Sequence, residues 1–110
     1  MTEPLQTYRF GPFHLDIAER RLSRDGTALP LRLKVFDTLR VLVENAGRLV
    51  TKEELLQAVW GPDYGDQVDY LRVFVNQLRK KIEAQPSQPV YLVTEPWVGY
   101  RFADVDGGVA

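Results

Sequence analysis

Thr51-Lys52-Glu53-Glu54-Leu55-Leu56-Gln57-Ala58-Val59-Trp60-Gly61-Pro62 is the stretch on which the fold of this chain turns. Thr51 and Glu54 stand at the spacing of a capping box. In that arrangement the threonine hydroxyl accepts from the N–H three residues on, and the glutamate reaches back to the threonine N–H. Leu55, Leu56, Val59 and Trp60 give the helix its apolar side, and Gly61-Pro62 stops it after about three turns.

Upstream, Leu33, Phe36, Leu39, Leu42/Val43 and Ala46 recur at three- and four-residue spacing, which predicts a first helix closed by Gly47 at the C′ position. Downstream, Asp63 to Asp66 read as a loop. A longer third helix follows, roughly Gln67 to Ala84, with Leu71, Val75, Leu78 and Ile82 on its core side and Pro86 and Pro89 beyond its end. Further out, Tyr8, Phe10, Phe13, Leu15 and Ile17 alternate with polar or small residues and are interrupted by Gly11-Pro12, as in a bent strand with one face buried. Arg20 to Arg24 and Thr27 to Leu31 read as two more strands joined at Asp25-Gly26, a strong hairpin signal. Tyr91 to Glu95 and Gly99 to Ala103 form a last hairpin around Pro96-Trp97-Val98, and Asp104 to Ala110 read as a loose tail. This gives one α+β domain over residues 8–103, with tails at 1–7 and 104–110. Its order of sheet, helix, helix, loop, helix and hairpin is that of a winged helix-turn-helix.

The bulk numbers leave one domain and few functions. A chain of 110 residues has room for one core. It has no cysteine, and its single histidine, His14, sits in a strand pattern where a structural role is expected. Without a glycine-rich phosphate loop or metal-ligand spacing, no catalysis, cofactor or metal is expected. No apolar run reaches membrane-spanning length, and Met1-Thr2-Glu3-Pro4 does not begin a signal peptide, so a cytoplasmic location and no membrane contact are expected. A net charge of −1 counts mildly against nucleic-acid binding, which draws most of its non-specific affinity from phosphate neutralisation. The argument for DNA therefore depends on where the charges sit.

On the third helix, Arg72, Asn76, Arg79 and Glu83 fall at four- and three-residue steps opposite the apolar stripe, with Gln77, Lys80 and Lys81 beside them. Arginine bonds guanine bidentately, asparagine and glutamine do so with adenine, and cations neutralise phosphates. The same pattern also describes a solvated helix face, and the three cations Arg79, Lys80 and Lys81 sit where the helix dipole favours them. In the hairpin, Trp97 lies at the tip with Thr94, Tyr100 and Arg101 beside it, a set suited to a sugar-phosphate backbone or minor groove. Folding of Trp97 back onto the sheet is the alternative. Trp60 reads as core, with its indole N–H able to reach a phosphate.

The segments Asn45 to Leu56, Val59-Trp60-Gly61, Leu78-Arg79-Lys80-Lys81-Ile82-Glu83 and Gly99-Tyr100-Arg101-Phe102, in this order and spacing, resemble the OmpR/PhoB family of winged-helix DNA-binding domains. The resemblance covers about Tyr8 to Phe102. It implies a four-stranded N-terminal sheet, a third helix in the major groove and a wing at the adjacent minor groove. By position it implies phosphate contacts from Trp60, Arg79, Thr94 and Tyr100, and DNA-facing positions at Asn76 and Gln77. It also implies an RNA polymerase contact from the loop Gly61 to Asp66, that is Pro62, Asp63, Tyr64, Gly65 and Asp66. The partner implied is double-stranded DNA carrying direct repeats, bound by two subunits in tandem, with a monomer off DNA.

Several positions depart from the family pattern. Arg32 and Val35 replace a Thr and a Glu at the start of the first helix, Phe74 stands where His is common, Gln77 where Arg is frequent, and Pro96 replaces a wing Arg. Up to Trp60 the chain resembles CadC-like one-component regulators, and from Gly61 to Glu95 it resembles KdpE-like response regulators, as divergence or an engineered chimera would both give. A response regulator also carries a receiver domain of roughly 120 residues, which one domain leaves no room for. A fragment, the N-terminal domain of a longer chain or a stand-alone effector is therefore expected, without a phosphoacceptor site. A protein-interaction winged helix without significant DNA binding is the alternative function.

Overall fold

The structure is a computed structural model that describes residues 6–103 and 106–109. Its first sheet is built from four strands in meander, β1 (Gln6–Phe10), β2 (Phe13–Asp16), β3 (Arg21–Arg24) and β4 (Thr27–Leu29). Leu15 pairs with both Tyr8 and Leu22, and Leu22 with Leu29, so every inward side chain falls on one face. The turn at Asp25-Gly26 has both residues at positive φ, as a two-residue hairpin requires.

Two expectations for the ends of this sheet are corrected. Gly11-Pro12 does not bend one strand; it turns the chain through a hairpin, with Phe10 paired to Phe13. Gly11 has φ +56, and a Cβ there would collide with the Tyr91 hydroxyl, so the turn needs glycine twice over. The stretches read as tails are also partly strands. β1 starts at Gln6, and β8 (Asp106–Val109) pairs antiparallel with it, Gln6 opposite Val109, because β1 otherwise presents an unpaired edge.

Three helices follow: α1 (Leu33–Glu44), α2 (Lys52–Trp60) and α3 (Val68–Ile82). Arg32 occupies the N-cap of α1 without a side-chain cap bond. Leu33, expected inside, is 62% exposed, because the chain enters the helix there before the apolar stripe turns inward. The capping box of α2 is complete: Thr51 Oγ1 accepts from the Glu54 N–H at 3.1 Å and Glu54 accepts from the Thr51 N–H at 3.0 Å. Lys34 Nζ donates to the Val59 carbonyl at 2.8 Å, a cation placed against the free carbonyls at the end of α2. A single 3₁₀ turn, Gly65–Gln67, leads into α3, which ends two residues earlier than expected.

The second sheet has the order β5-β7-β6, with β5 (Leu49–Thr51), β6 (Leu92–Glu95) and β7 (Gly99–Phe102). The strand β5 has no counterpart in the sequence pattern. Its three residues pair with β7, Val50 opposite Tyr100, and Gly99 makes this possible because a Cβ there would strike the Val50 carbonyl. Leu39, Leu42, Leu55, Leu78, Leu92 and Phe102 are fully buried between the helices and the sheets. Phe10, Phe13, Tyr91 and Phe102 join the two sheets through edge-on and stacked rings, such as the 5.1 Å contact of Phe10 with Phe102. The wing hairpin is thus anchored at its base and free at its tip.

Candidate nucleic-acid interface

Successive helical residues turn by about 100°, which fixes what each face of α3 presents. Leu71, Val75, Leu78 and Ile82 are buried against α1 and the sheets. Diametrically opposite lie Asp69, Val73, Asn76 and Lys80, all exposed. The row Arg72, Arg79 and Glu83 lies about a quarter-turn away, on the flank beside the wing, which corrects its expected placement opposite the core.

That shift changes what Arg79 and Glu83 do. Arg79 Nε and Nη2 donate to the Leu92 carbonyl at 3.0 and 2.9 Å, and Nη2 also donates to Thr94 Oγ1 at 2.6 Å. Burial draws the guanidinium pKa below its ordinary value, opposed by the charges of Tyr100 and Glu83. It remains protonated. Glu83 is not on a DNA-facing row at all. It is buried at the C-cap of α3, and its carboxylate accepts from the N–H groups of Val90, Tyr91 and Leu92 at 2.7, 2.9 and 2.8 Å. Both residues dock the first strand of the wing onto α3.

Between that flank and the wing runs a cleft of about 330 Å³, with Lys52, Arg72, Asn76, Arg79, Thr94 and Trp97 on its walls. Trp97 is 94% exposed at its mouth and does not fold back. Its φ of +70 at the middle of Pro96-Trp97-Val98 is rare for a bulky residue. Tyr100 is buried at 7% exposure, so it forms the floor of the cleft. Arg101 leaves the cleft: it donates to the Gly47 carbonyl at 2.9 Å and lies 3.9 Å from Glu95, which makes it a brace for the hairpin. Trp60 is half-buried and stacks on Phe74 with centroids 5.3 Å apart.

Gln77, Lys80 and Lys81 border a different groove, on the side of α3 away from the wing, together with Arg32. In the loop before α3, Pro62, Asp63 and Gly65 are exposed while Tyr64 packs partly onto the core. The side chain of Asp66 lies outside the described residues. Sequence reasoning missed Lys52 and Val73. Lys52 follows the capping Thr51, and only the β5–β7 pairing turns it toward the cleft. Val73 is 46% exposed in the middle of the outer face, where an apolar residue breaks the expected pattern.

The distribution of charge explains how an acidic chain can present a basic face. Asp37, Glu44, Glu54 and Glu95 are held in ion pairs with Arg20, Arg40, Arg48 and Arg101. Among the described residues, nine cations make no ion pair, and six of them, Arg32, Lys52, Arg72, Arg79, Lys80 and Lys81, border α3 or its two clefts, whereas Arg9, Arg21 and Lys34 lie elsewhere.

The family described as "Transcriptional regulatory protein, C terminal" matches residues 26–102. This chain belongs to that family. Its relatives include the transcriptional regulatory protein KdpE of Mycobacterium tuberculosis, 43% identical over 90 residues, or 82% of this chain and 40% of KdpE. That alignment is long enough to cross Gly61, so the KdpE likeness extends into both halves of the chain. The chain spans about 40% of the length of this relative. Among solved structures, the Thermotoga maritima response regulator DrrB, an OmpR/PhoB homolog, superposes with a TM-score of 0.81 at 34% identity, over 89% of this chain and 44% of DrrB. The DNA-binding domain of Klebsiella pneumoniae RstA, solved in complex with the RstA box, gives a TM-score of 0.76 at 29% identity, covering 88% of this chain and 96% of that one. Within the family's pattern, the departures at Arg32 and Phe74 are structural facts here: an uncapped α1 and a ring stacked on Trp60.

Proposed function

We propose that this chain is the DNA-reading effector of a bacterial transcription regulator, acting in the cytoplasm. The α3 helix enters the major groove with Val73, Asn76 and Lys80 foremost. The wing lies over the neighbouring backbone and minor groove with Trp97 at its tip. The observation that carries this reading is the gathering of cations that make no ion pair among the described residues, Lys52, Arg72, Lys80 and Lys81, around one helix in a chain of net charge −1. Arg72 and Lys52 supply phosphate contacts beside the wing, and Thr94 and Trp97 extend them. Arg79, Tyr100 and Arg101 contribute by holding the wing in place.

Two copies bind direct repeats in tandem and are monomeric off DNA. The segment Pro62 to Asp66, continued by the exposed Val68 and Tyr70, offers a surface for RNA polymerase. The test is selection of bound sequences from a random duplex library at near-physiological salt. Enrichment of a direct repeat is expected. Failure to enrich any sequence, even at low salt, would return the chain to the protein-interaction reading. Binding to a partner protein should then be nearly indifferent to ionic strength, whereas DNA binding through several phosphates weakens steeply with it.

A further inference from the structure

On the side of α3 away from the wing, a groove of about 290 Å³ has an apolar floor that includes Leu31 and Val35 and a rim of Arg32, Gln77, Lys80 and Lys81. Three features set it apart from ordinary solvated surface. Its three cations come from two separate elements, the turn before α1 and the last turns of α3. None of them makes an ion pair among the described residues, and no carboxylate stands among the residues that line the groove. Arg32 also holds the N-cap of α1 with the extended backbone of a cap, φ −64 and ψ 155, yet gives no cap bond. The position forgoes the stabilisation that Ser, Thr, Asp or Asn would supply there.

A major groove about 12 Å wide is bounded by two phosphate strands, and a helix of about 10–12 Å diameter lying in it has one strand on each flank. The wing cleft serves one flank. We propose that the groove on the other flank is a second phosphate clamp, in which Arg32 binds a backbone phosphate of the strand opposite the one held by the wing. Lys80 and Lys81 reinforce it, and Gln77 donates from the rim. This inference rests on the DNA-binding reading given above. It adds to it a contact from outside the helix-turn-helix, and a reason for an arginine where a cap would be more stable.

The test uses Arg32→Thr and Arg32→Lys in the whole chain, on the duplex that the selection returns. Arg32→Thr puts a good N-cap residue into a backbone already shaped for one, so its thermal midpoint should rise by about 4 °C. Its DNA affinity should fall and its salt slope should drop by about one unit. Its affinity deficit should therefore shrink about fourfold between roughly 50 and 200 mM salt. Arg32→Lys should keep the slope. Duplexes with a single methylphosphonate should locate the contact: one neutralised phosphate, on the strand away from the wing, should weaken wild type and leave Arg32→Thr unaffected. Wild type that binds the duplex, with Arg32→Thr binding equally at the same slope, would overturn the clamp and leave the DNA reading standing. Wild type that binds no duplex would overturn both.

Discussion

Arg79 and Thr94 meet across the seam between α3 and β6, the guanidinium donating to the hydroxyl at 2.6 Å while it also caps the Leu92 carbonyl. One side chain thus sets the angle between the helix and the wing. Removing it should change two things that a simple surface phosphate contact would not change together. Arg79→Ala leaves a half-buried carbonyl without its charged donor, at a cost of about 1.5–3 kcal/mol of stability. It should also weaken binding to all DNA sequences alike, because the wing loses its fixed height. Arg79→Lys keeps the charge but not the fork and should fall between the two. Urea unfolding and amide exchange in β6 are the measurements. Unchanged protection of Val93 to Glu95 in Arg79→Ala would mean that the wing does not depend on this latch.

Trp97 presents a cost with no structural return inside this chain. A left-handed backbone strains a non-glycine residue by about 1–2 kcal/mol, and at 94% exposure the indole recovers little by packing. Trp97→Gly releases the strain and forfeits about 0.5–1 kcal/mol through the freer unfolded chain. A net stabilisation of about 0.5–1 kcal/mol is expected, together with weaker DNA binding. A variant that was more stable and bound DNA as well as wild type would remove the wing tip from the interface.

The capping box makes part of the stability acid-sensitive. The Glu54 carboxyl is held below its ordinary 4.5, first by the Thr51 backbone N–H and then by Arg48. A depressed folded-state pKa stabilises the fold above the unfolded value, and that contribution is lost as pH falls through the folded value. Midpoints of wild type and Glu54→Gln should therefore differ near neutrality and converge as pH falls from 4.5 through the folded value. Parallel curves across that range would show that the glutamate charge contributes nothing at this cap.

Much of this was legible in the sequence, and most of the misses share a cause. Thr51 and Glu54 declare their bonds by spacing, and Leu71, Val75, Leu78 and Ile82 declare a face by period, since both signals are local. The hairpin at Gly11-Pro12 does leave a local trace, because a two-residue turn shifts the alternation by one residue, from Tyr8 and Phe10 to Phe13 and Leu15, and a bend in one strand does not account for that change of parity. The strand β5 has no local signature, because Leu49 to Thr51 become a strand only by pairing with β7 about fifty residues later. Arg79 and Glu83 carry the residue types of a DNA-facing row, but β6, a distant segment, turns both toward the wing. Chemistry was readable; the direction of side chains near a long-range contact was not.

Base selection should divide along the two flanks of α3. Asn76 is exposed on the outer face near the wing cleft, whereas Gln77, also expected to read a base, is half-buried and borders the Arg32 groove. An asparagine side chain in the major groove can pair bidentately with adenine, so Asn76→Ala should cost about 1–3 kcal/mol at one base pair and relax the preference there. Gln77→Ala should have a smaller effect on sequence and a more even one across sites. Lys80→Ala should weaken every site together and lower the salt slope by about one unit. Val73 adds a distinct signature: its exposed methyls suit a thymine methyl, so replacing one thymine by deoxyuridine should weaken wild type and not Val73→Ala. Affinities over a panel of single-substitution operators separate these roles. If Asn76→Ala lowered affinity uniformly while Gln77→Ala changed the preferred base, α3 would be rotated in the groove toward the Arg32 side, and Asn76 would be a backbone contact.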